Sequence, residues 1–129
     1  PIAYRTQTEL TKTVSGWGMS ETWAFASCSH PNSTEEQRCE ASGYPQPNLE
    51  FRVIDPDTML DVPTGEQGEL LVRGYQIMQG YYNKPAETAA AIDEQGWMHT
   101  GDTALFRHDG HIKFIGRFKD KTRRYAPLT

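Results

Sequence analysis

The chain has 129 residues, of which 36% are hydrophobic, and its 13 Lys and Arg against 17 Asp and Glu give a formal net charge of −4. A mildly acidic chain without a basic stripe is a poor candidate for binding nucleic acid. No apolar run is long enough to cross a bilayer, and the first residues lack a signal-peptide pattern, so we expect no transmembrane segment and a cytoplasmic location.

Residues 1–15 are polar and rich in threonine, with little regular hydrophobic period. Gly16–Ser29 combines small and aromatic residues, as a strand end that runs into a loop would. Ser29–Pro47 is polar and contains prolines and a glycine, which predicts a long loop. Cys28 and Cys39, in a polar region, lack the paired spacing of a zinc site, and without a secretion signal two reduced thiols are favoured over a disulfide.

The pattern changes after residue 48. Leu49–Asp55 alternates apolar and polar residues, which predicts a half-buried strand. Glu69–Arg73 predicts a second strand, and we expect the two to be antiparallel neighbours. Pro85–Ile92 predicts a short helix, because proline suits the first helical position and the alanines that follow are strong helix formers.

A hairpin is predicted last, because Asp109-Gly110 is typical of a tight two-residue turn between strands. The register that follows pairs His108 with His111, Leu105 with Phe114, Ala104 with Ile115 and Asp102 with Arg117. The four histidines have no metal-site spacing, and we expect His108 and His111 at the turn to be solvated. His99, just before Thr100-Gly101-Asp102, is the one nearest to a candidate site.

Opposed residues of a hairpin point to the same face, so Asp102 and Arg117 should meet at its open end. They are interpreted either as a cross-strand ion pair, which is weak when exposed, or as partners for the hydroxyls of a ligand. A carboxylate accepts two hydrogen bonds from a vicinal diol, and a guanidinium donates several. Gly101 would allow close approach.

Two alternatives also stay open for the segment G-W-G-M-S-E-T that begins at residue 16. Trp17 is either a core residue or a flat apolar wall for a base, with Gly16 and Gly18 leaving room for a ligand. Ser20 and Glu21 form either a helix cap or turn, or a hydroxyl for a phosphate oxygen beside a carboxylate for Mg²⁺, a cation that prefers oxygen ligands.

Taken in order, these motifs resemble the adenylate-forming (AMP-binding) superfamily, which includes acyl-CoA synthetases, peptide-synthetase adenylation domains and beetle luciferases. The resemblance covers roughly residues 16–121 and is greatest to the acyl-CoA synthetases, that is, fatty-acid or aryl-acid–CoA ligases. The phosphate loop and the C-terminal domain of that family have no counterpart here. The chain is therefore interpreted as an internal fragment that lacks N- and C-terminal parts of the same enzyme.

The resemblance implies a mixed α/β, strand-rich fold: the C-terminal part of the family's large domain, with antiparallel β-hairpins of its distorted β-barrel subdomain and a short helix. Residues 1–47 would end the central α/β subdomain and carry the G-W-G-M-S-E motif. Residues 48–118 would form the β-rich subdomain, and residues 119–129 the hinge and a divergent terminal tail.

The resemblance also implies a reaction with ATP, Mg²⁺, a carboxylic acid and coenzyme A, through an acyl adenylate to a thioester. Trp17 would pack on adenine, Ser20 would contact the α-phosphate, and Asp102 and Arg117 would bind the ribose. The implied site residues are catalytic Ser20 and Glu21; cofactor-binding Gly16, Trp17, Gly18, Ser20, Asp102 and Arg117; metal-binding Glu21; and hinge Lys119. The alternatives are a peptide-synthetase-type adenylation domain and a non-catalytic β module that binds a nucleotide or a partner.

Overall fold

The computed structural model describes residues 13–118. Their elements in chain order are β1 (Gly16–Gly18), a 3₁₀ turn (Ser20–Thr22), β2 (Phe25–Cys28), α1 (Glu35–Glu40), β3 (Tyr44–Pro45), β4 (Leu49–Ile54), β5 (Gly68–Gly74), α2 (Pro85–Ala91), β6 (Met98–Phe106) and β7 (Ile112–Arg117). The predicted strand-rich architecture with a short helix is confirmed. In this range no helix has the length and apolar character that crossing a membrane requires.

The strands form two antiparallel sheets, one of order β1-β2-β3 and one of order β4-β5-β6-β7. The two strands predicted after residue 48 pair along their whole length, from Leu49 opposite Gly74 to Ile54 opposite Glu69. Each strand neighbours the next in the chain, so the sheets are meanders built from hairpins. Neither sheet closes into a barrel within residues 13–118.

One apolar cluster joins the two sheets. Its buried members are Trp17, Ala26, Leu49, Val53, Leu70, Val72, Ala104 and Ile112. A second, smaller cluster of Ile54, Leu71 and Trp97 lies apart from it. Successive side chains of a strand point to opposite faces, so β5 contributes Leu70 and Val72 to one cluster and Leu71 to the other. The central strand is therefore buried on both sides.

The long loop predicted for Ser29–Pro47 is wrong, because this segment contains α1 and β3. Thr34 caps α1: its hydroxyl accepts from the backbone N–H of Gln37, and the Gln37 side chain accepts from the backbone N–H of Thr34. This reciprocal pair is a capping box. The Thr-x-x-Gln spacing is visible in the sequence and marks the start of a helix.

The predicted hairpin is present, but its turn has three residues. The backbone N–H of Arg107 donates to the carbonyl of His111 at 2.8 Å, and Gly110 between them adopts φ +85°. A single glycine in the left-handed region suits a three-residue loop better than a two-residue one, which needs two such residues. Arg107, not His108, therefore lies opposite His111.

The longer turn makes two predicted pairs wrong: Ala104 lies opposite Phe114, and Leu105 opposite Lys113. A bulge then leaves Ile115 as an extra residue on β7, and it restores the register so that Asp102 lies opposite Arg117. The pairing of the two charged residues was predicted correctly because two departures from a regular hairpin cancel.

Candidate functional site

A wide bulge in β6 shapes the site. The pairs Glu69–Thr103 and Leu71–His99 enclose one residue of β5 but three of β6, namely Thr100–Asp102. The Thr100 hydroxyl donates to the carbonyl of Leu70 at 2.7 Å and accepts from the N–H of Asp102 at 3.1 Å. Because a side chain takes over these backbone bonds, the strand bends here without leaving the Leu70 carbonyl or the Asp102 N–H unpaired.

Glycine is required at the centre of the bulge. Gly101 adopts φ +70°, which residues with a Cβ rarely occupy, and no heavy atom lies within 4 Å of the position that a Cβ would take. The backbone at Gly101 therefore lines an open cavity. This finding agrees with the expectation that Gly101 allows close approach of a ligand.

Asp102 is nearly fully buried at the end of the bulge. Its Oδ2 accepts the indole N–H of Trp17 at 2.9 Å, and its Oδ1 lies 3.2 Å from Nε of Arg117. That contact lacks hydrogen-bond geometry, so within residues 13–118 the buried Oδ1 accepts no hydrogen bond. Burial raises the pKa of Asp102; the Trp17 hydrogen bond and the Arg117 charge oppose this shift only in part, and the charge of Glu21 adds to it.

Trp17 is a core residue in this structure. It is 6% exposed, belongs to the main cluster and packs edge-on against Phe51, with ring centroids 5.9 Å apart. The Trp17 ring does not present an accessible flat face in this structure. The packing of Trp17 on adenine therefore stays a prediction. Its neighbours serve the same packing: a Cβ on Gly16 would meet the carbonyl of Ser27, and one on Gly18 would overlap that of Ala24.

A cavity of about 530 Å³ lies between the 3₁₀ turn, α2 and the bulge. Its charged and titratable lining residues are Glu21, Glu69, Lys84, Glu87, His99 and Arg117, together with Tyr81. The Tyr81 hydroxyl donates to Glu21 at 3.1 Å, and its pKa is raised by burial and by the Glu21 carboxylate. Tyr81 is not among the site residues predicted from the sequence.

The predicted site residues fall into two depressions. Glu21, Gly101 and Arg117 line the 530 Å³ cavity, whereas Gly18 and Ser20 line a shallower one of about 330 Å³ with the exposed Trp23 and Phe25. Ser20 is exposed, and Trp17 and Asp102 lie buried behind the cavity wall. Lys119, the predicted hinge, lies outside the described residues.

The donor set fits Mg²⁺ only as a partner of phosphate groups. In the described range no group of three or more His, Cys, Asp or Glu side chains could hold a metal ion. Mg²⁺ commonly takes one or two carboxylates and completes its shell with water and substrate phosphates. Glu21, half-buried at the cavity, can supply such a single carboxylate, whereas a cage made by the protein alone does not fit.

Of the histidines, His111 lies in a different environment from the predicted one, and His99 lies at the candidate site. His111 is fully buried, not solvated: its ring lies on Tyr44 with centroids 3.9 Å apart, and its Nδ1 lies 3.2 Å from Asp109. His99 does line the cavity, with Nδ1 3.3 Å from Glu69. The signal for His99 was its place before Thr100, but its carboxylate partner comes from another strand and no local pattern predicts it.

The family model for AMP-binding enzymes matches residues 2–82, which is more than half of the chain. The chain belongs to the AMP-binding enzyme family. Curated relatives include a putative acyl-CoA synthetase, YngI, of Bacillus subtilis and 4-coumarate–CoA ligase 5 of rice (Oryza sativa subsp. japonica). Both are 36% identical over 81% of this chain, and the chain spans about a fifth of their length, 19% and 20% respectively.

Solved structures of this AMP-binding family share the fold. ATP-bound MatB from Rhodopseudomonas palustris is 28% identical, with a TM-score of 0.76 over 83% of this chain and 21% of its own. o-Succinylbenzoate CoA synthetase from Bacillus subtilis, in complex with AMP, superposes with a TM-score of 0.80 over 93% of this chain and 24% of its own; at 22% identity, that likeness concerns the fold alone.

Proposed function

We propose that the chain is part of an ATP-dependent carboxylic acid–CoA ligase, and that it supplies the ribose and magnesium contacts of the adenylate site. The observation that carries the proposal is the buried carboxylate of Asp102, whose Oδ1 accepts no hydrogen bond from the described residues and lies 3.2 Å from Arg117, a residue that lines the cavity. A buried acceptor without a donor costs free energy, and a ligand hydroxyl would remove that cost.

The residues in and behind the wall of the cavity, together with Ser20 in the adjoining depression, suit a nucleotide. Asp102 accepts from a ribose hydroxyl, and the exposed guanidinium of Arg117 donates to the neighbouring one. Glu21 would hold Mg²⁺ through its carboxylate, and the metal would offset the negative charge of the nucleotide phosphates. Ser20, in the adjoining depression, donates to an α-phosphate oxygen, and Trp17, with Gly16 and Gly18, supports the adenine side from beneath.

The proposed reaction has two steps. An oxygen of the acid's carboxylate attacks the α-phosphorus of ATP, and the bond to pyrophosphate breaks. The sulfur of coenzyme A then attacks the carbonyl carbon of the acyl adenylate, and AMP leaves. Fixed cations near phosphorus stabilise the charge that develops in the first step, and Glu21 contributes by holding the metal.

The chain is proposed to act within a longer polypeptide and to be inactive alone, since it spans only about a fifth of the length of these curated relatives. In that polypeptide residues 1–47 end the central subdomain, residues 48–118 form the β-rich one, and Lys119 begins the hinge. A cytoplasmic location is also proposed, and the free thiols of Cys28 and Cys39 suit a reducing compartment.

The test is carboxylate-dependent exchange of pyrophosphate into ATP by the full-length protein, measured over a panel of fatty and aryl acids. Exchange with at least one acid, followed by thioester formation when coenzyme A is added, is the expected result. No exchange with any acid would exclude adenylation and leave a non-catalytic nucleotide-binding module. The isolated 129-residue chain is the negative control, and turnover by it would contradict the proposed inactivity.

A second candidate transfers the acyl group of the acyl adenylate to an amine, and AMP leaves. The amide bond synthetase McbA from Marinactinospora thermotolerans favours it, with 29% identity and a TM-score of 0.77 over 91% of this chain. The same assay decides between them: amide formation with an added amine, and no thioester with coenzyme A, would support this candidate.

A further inference from the structure

The Trp17–Asp102 hydrogen bond connects the two sheets at the candidate site. Trp17 lies on β1 and Asp102 on β6, 85 positions apart in sequence, and their side chains meet in a buried contact of 2.9 Å. A tryptophan that served only to fill the core would not need its N–H to point at a carboxylate. Buried indole N–H groups do, however, usually find a partner, so the bond alone does not establish a functional role.

The decisive feature is how the two oxygens of Asp102 differ. Oδ2 is held by Trp17, whereas Oδ1 accepts no hydrogen bond from the described residues even though it is buried. A carboxylate has capacity for about four hydrogen bonds. Because Trp17 holds Oδ2, Oδ1 is left on the side of Arg117, whose Nε lies 3.2 Å from it.

We propose that Trp17 is a positioning residue for a ligand diol: its indole N–H holds Oδ2 of Asp102 and so presents Oδ1, beside Arg117, to a ribose hydroxyl. This inference rests on the proposed nucleotide function and assigns Trp17 a role through its N–H rather than through its ring face. The ligand chemistry is that of a vicinal diol, which needs an acceptor and a donor side by side.

The same bond also favours the ionised carboxylate. Two charged groups act on Asp102 from the elements packed around it: Arg117 from β7, which favours ionisation, and Glu21 from the 3₁₀ turn, which opposes it. Burial opposes it most strongly. Loss of the Trp17 donor would therefore raise the pKa of Asp102 further, and a protonated Asp102 is a poorer acceptor for a ribose hydroxyl.

The test replaces the indole while keeping an aromatic ring. In the full-length protein, Trp17→Phe should weaken ATP binding by about tenfold near neutral pH, measured by calorimetry. In this variant, the pH at which ATP affinity is half lost on acidification should be higher than in the parent. The matched control is Trp97→Phe, an equally buried ring in the second cluster, beneath the guanidiniums of Arg52 and Arg73. The control should lower stability without moving the pH profile.

Each outcome decides something. If folded Trp17→Phe keeps the pH profile of the parent, the positioning role is wrong while the nucleotide function stands. If the parent itself does not bind ATP, the proposed function fails, and the pKa of Asp102 is then followed directly by ¹³C-carboxyl NMR in parent and variant; an unchanged pKa overturns the inference. If Trp17→Phe does not fold, Trp17→benzothienylalanine, which keeps the ring shape and lacks the N–H, takes its place in the same measurements.

Discussion

The two ends of the β6–β7 hairpin each hold an aspartate beside an arginine, yet the two carboxylates are in opposite electrostatic situations. At the closed end, burial would raise the pKa of Asp109, but hydrogen bonds from His111 and Gln37 and the charge of Arg107 more than offset it, so the pKa is lowered. At the open end, burial prevails and the pKa of Asp102 is raised.

The difference lies in how many donors reach each carboxylate. Asp109 accepts from the backbone N–H of His111 at 3.1 Å and from the Gln37 side chain at 3.3 Å, and it lies 3.0 Å from Arg107. Asp102 accepts only one hydrogen bond to its carboxylate from the described residues, that of Trp17. A fully partnered carboxylate stabilises the fold, whereas one with a spare oxygen is available to a ligand.

The largest expected effect comes from removing each carboxylate in turn. Asp102→Ala should weaken ATP binding by the full-length protein about 10- to 100-fold, because a hydrogen bond to a charged group is lost. Asp109→Ala should leave ATP affinity unchanged and instead lower stability. Calorimetric titration checks the first effect and thermal unfolding the second. Equal losses of affinity in the two variants would remove the distinction between the two ends.

The pH dependence of stability should also separate the two ends. Because the pKa of Asp109 is lowered in the folded state, its contribution to the free energy of unfolding is present above the unfolded-state pKa. That contribution is lost as pH falls through the lower folded-state pKa. Asp109→Asn should therefore lower the free energy of unfolding by about 1–2 kcal/mol at neutral pH and by much less in acid. Urea unfolding across pH measures this difference.

The contribution of Asp102 to stability has the opposite dependence on pH. Because its pKa is raised in the folded state, this contribution is present below the unfolded-state pKa and is lost as pH rises through the higher folded-state pKa. Asp102→Asn should therefore raise the free energy of unfolding at neutral pH, by up to about 1 kcal/mol, while nucleotide affinity falls. A clear loss of stability at neutral pH in this variant would contradict the raised pKa.

Each end of the hairpin also has a glycine with positive φ, and replacing the two glycines should give a smaller difference than replacing the two carboxylates. Gly110→Ala should cost about 1 kcal/mol through backbone strain. It should cost further stability because the new Cβ would lie 3.3 Å from the Tyr44 ring. Gly101→Ala should cost the strain alone, since nothing lies within 4 Å of that position. Unfolding midpoints compare the two, and a larger loss for Gly101→Ala would show a contact that the open cavity does not contain.

The smallest expected effect concerns the arginines. The Arg117 side chain is 51% exposed, so Arg117→Gln should change stability by less than about 0.5 kcal/mol. Arg107 lies 2.8 Å from Glu36 as well as beside Asp109 and is 20% exposed, so Arg107→Gln should cost about 1 kcal/mol. Unfolding at low and high salt tests the pair, and the cost at Arg107 should shrink as salt screens the charges.

Local sequence patterns predicted the elements but not the partners of their side chains. The alternation of Leu49–Asp55 and the proline and alanines of Pro85–Ile92 were sufficient for a strand and a helix. Helix α1 was missed although Thr34 and Gln37 carry its capping signature, because the prolines around it weighed more heavily. His111 was expected in solvent because it follows a turn, and Tyr44, which covers it, comes from a distant strand.

The sequence by itself determined the family motifs and the antiparallel hairpins, because hairpins depend on short-range turns and on alternation along a strand. The meeting of Asp102 with Arg117 agreed with the prediction only because the longer turn and the bulge offset each other. Only the tertiary structure decided that Trp17 is buried and donates to Asp102, that Oδ1 of that carboxylate accepts no hydrogen bond from the described residues, and that Ser20 and Glu21 line different depressions. These facts depend on how two sheets pack over one core, and such packing brings together residues whose separation in sequence follows no period.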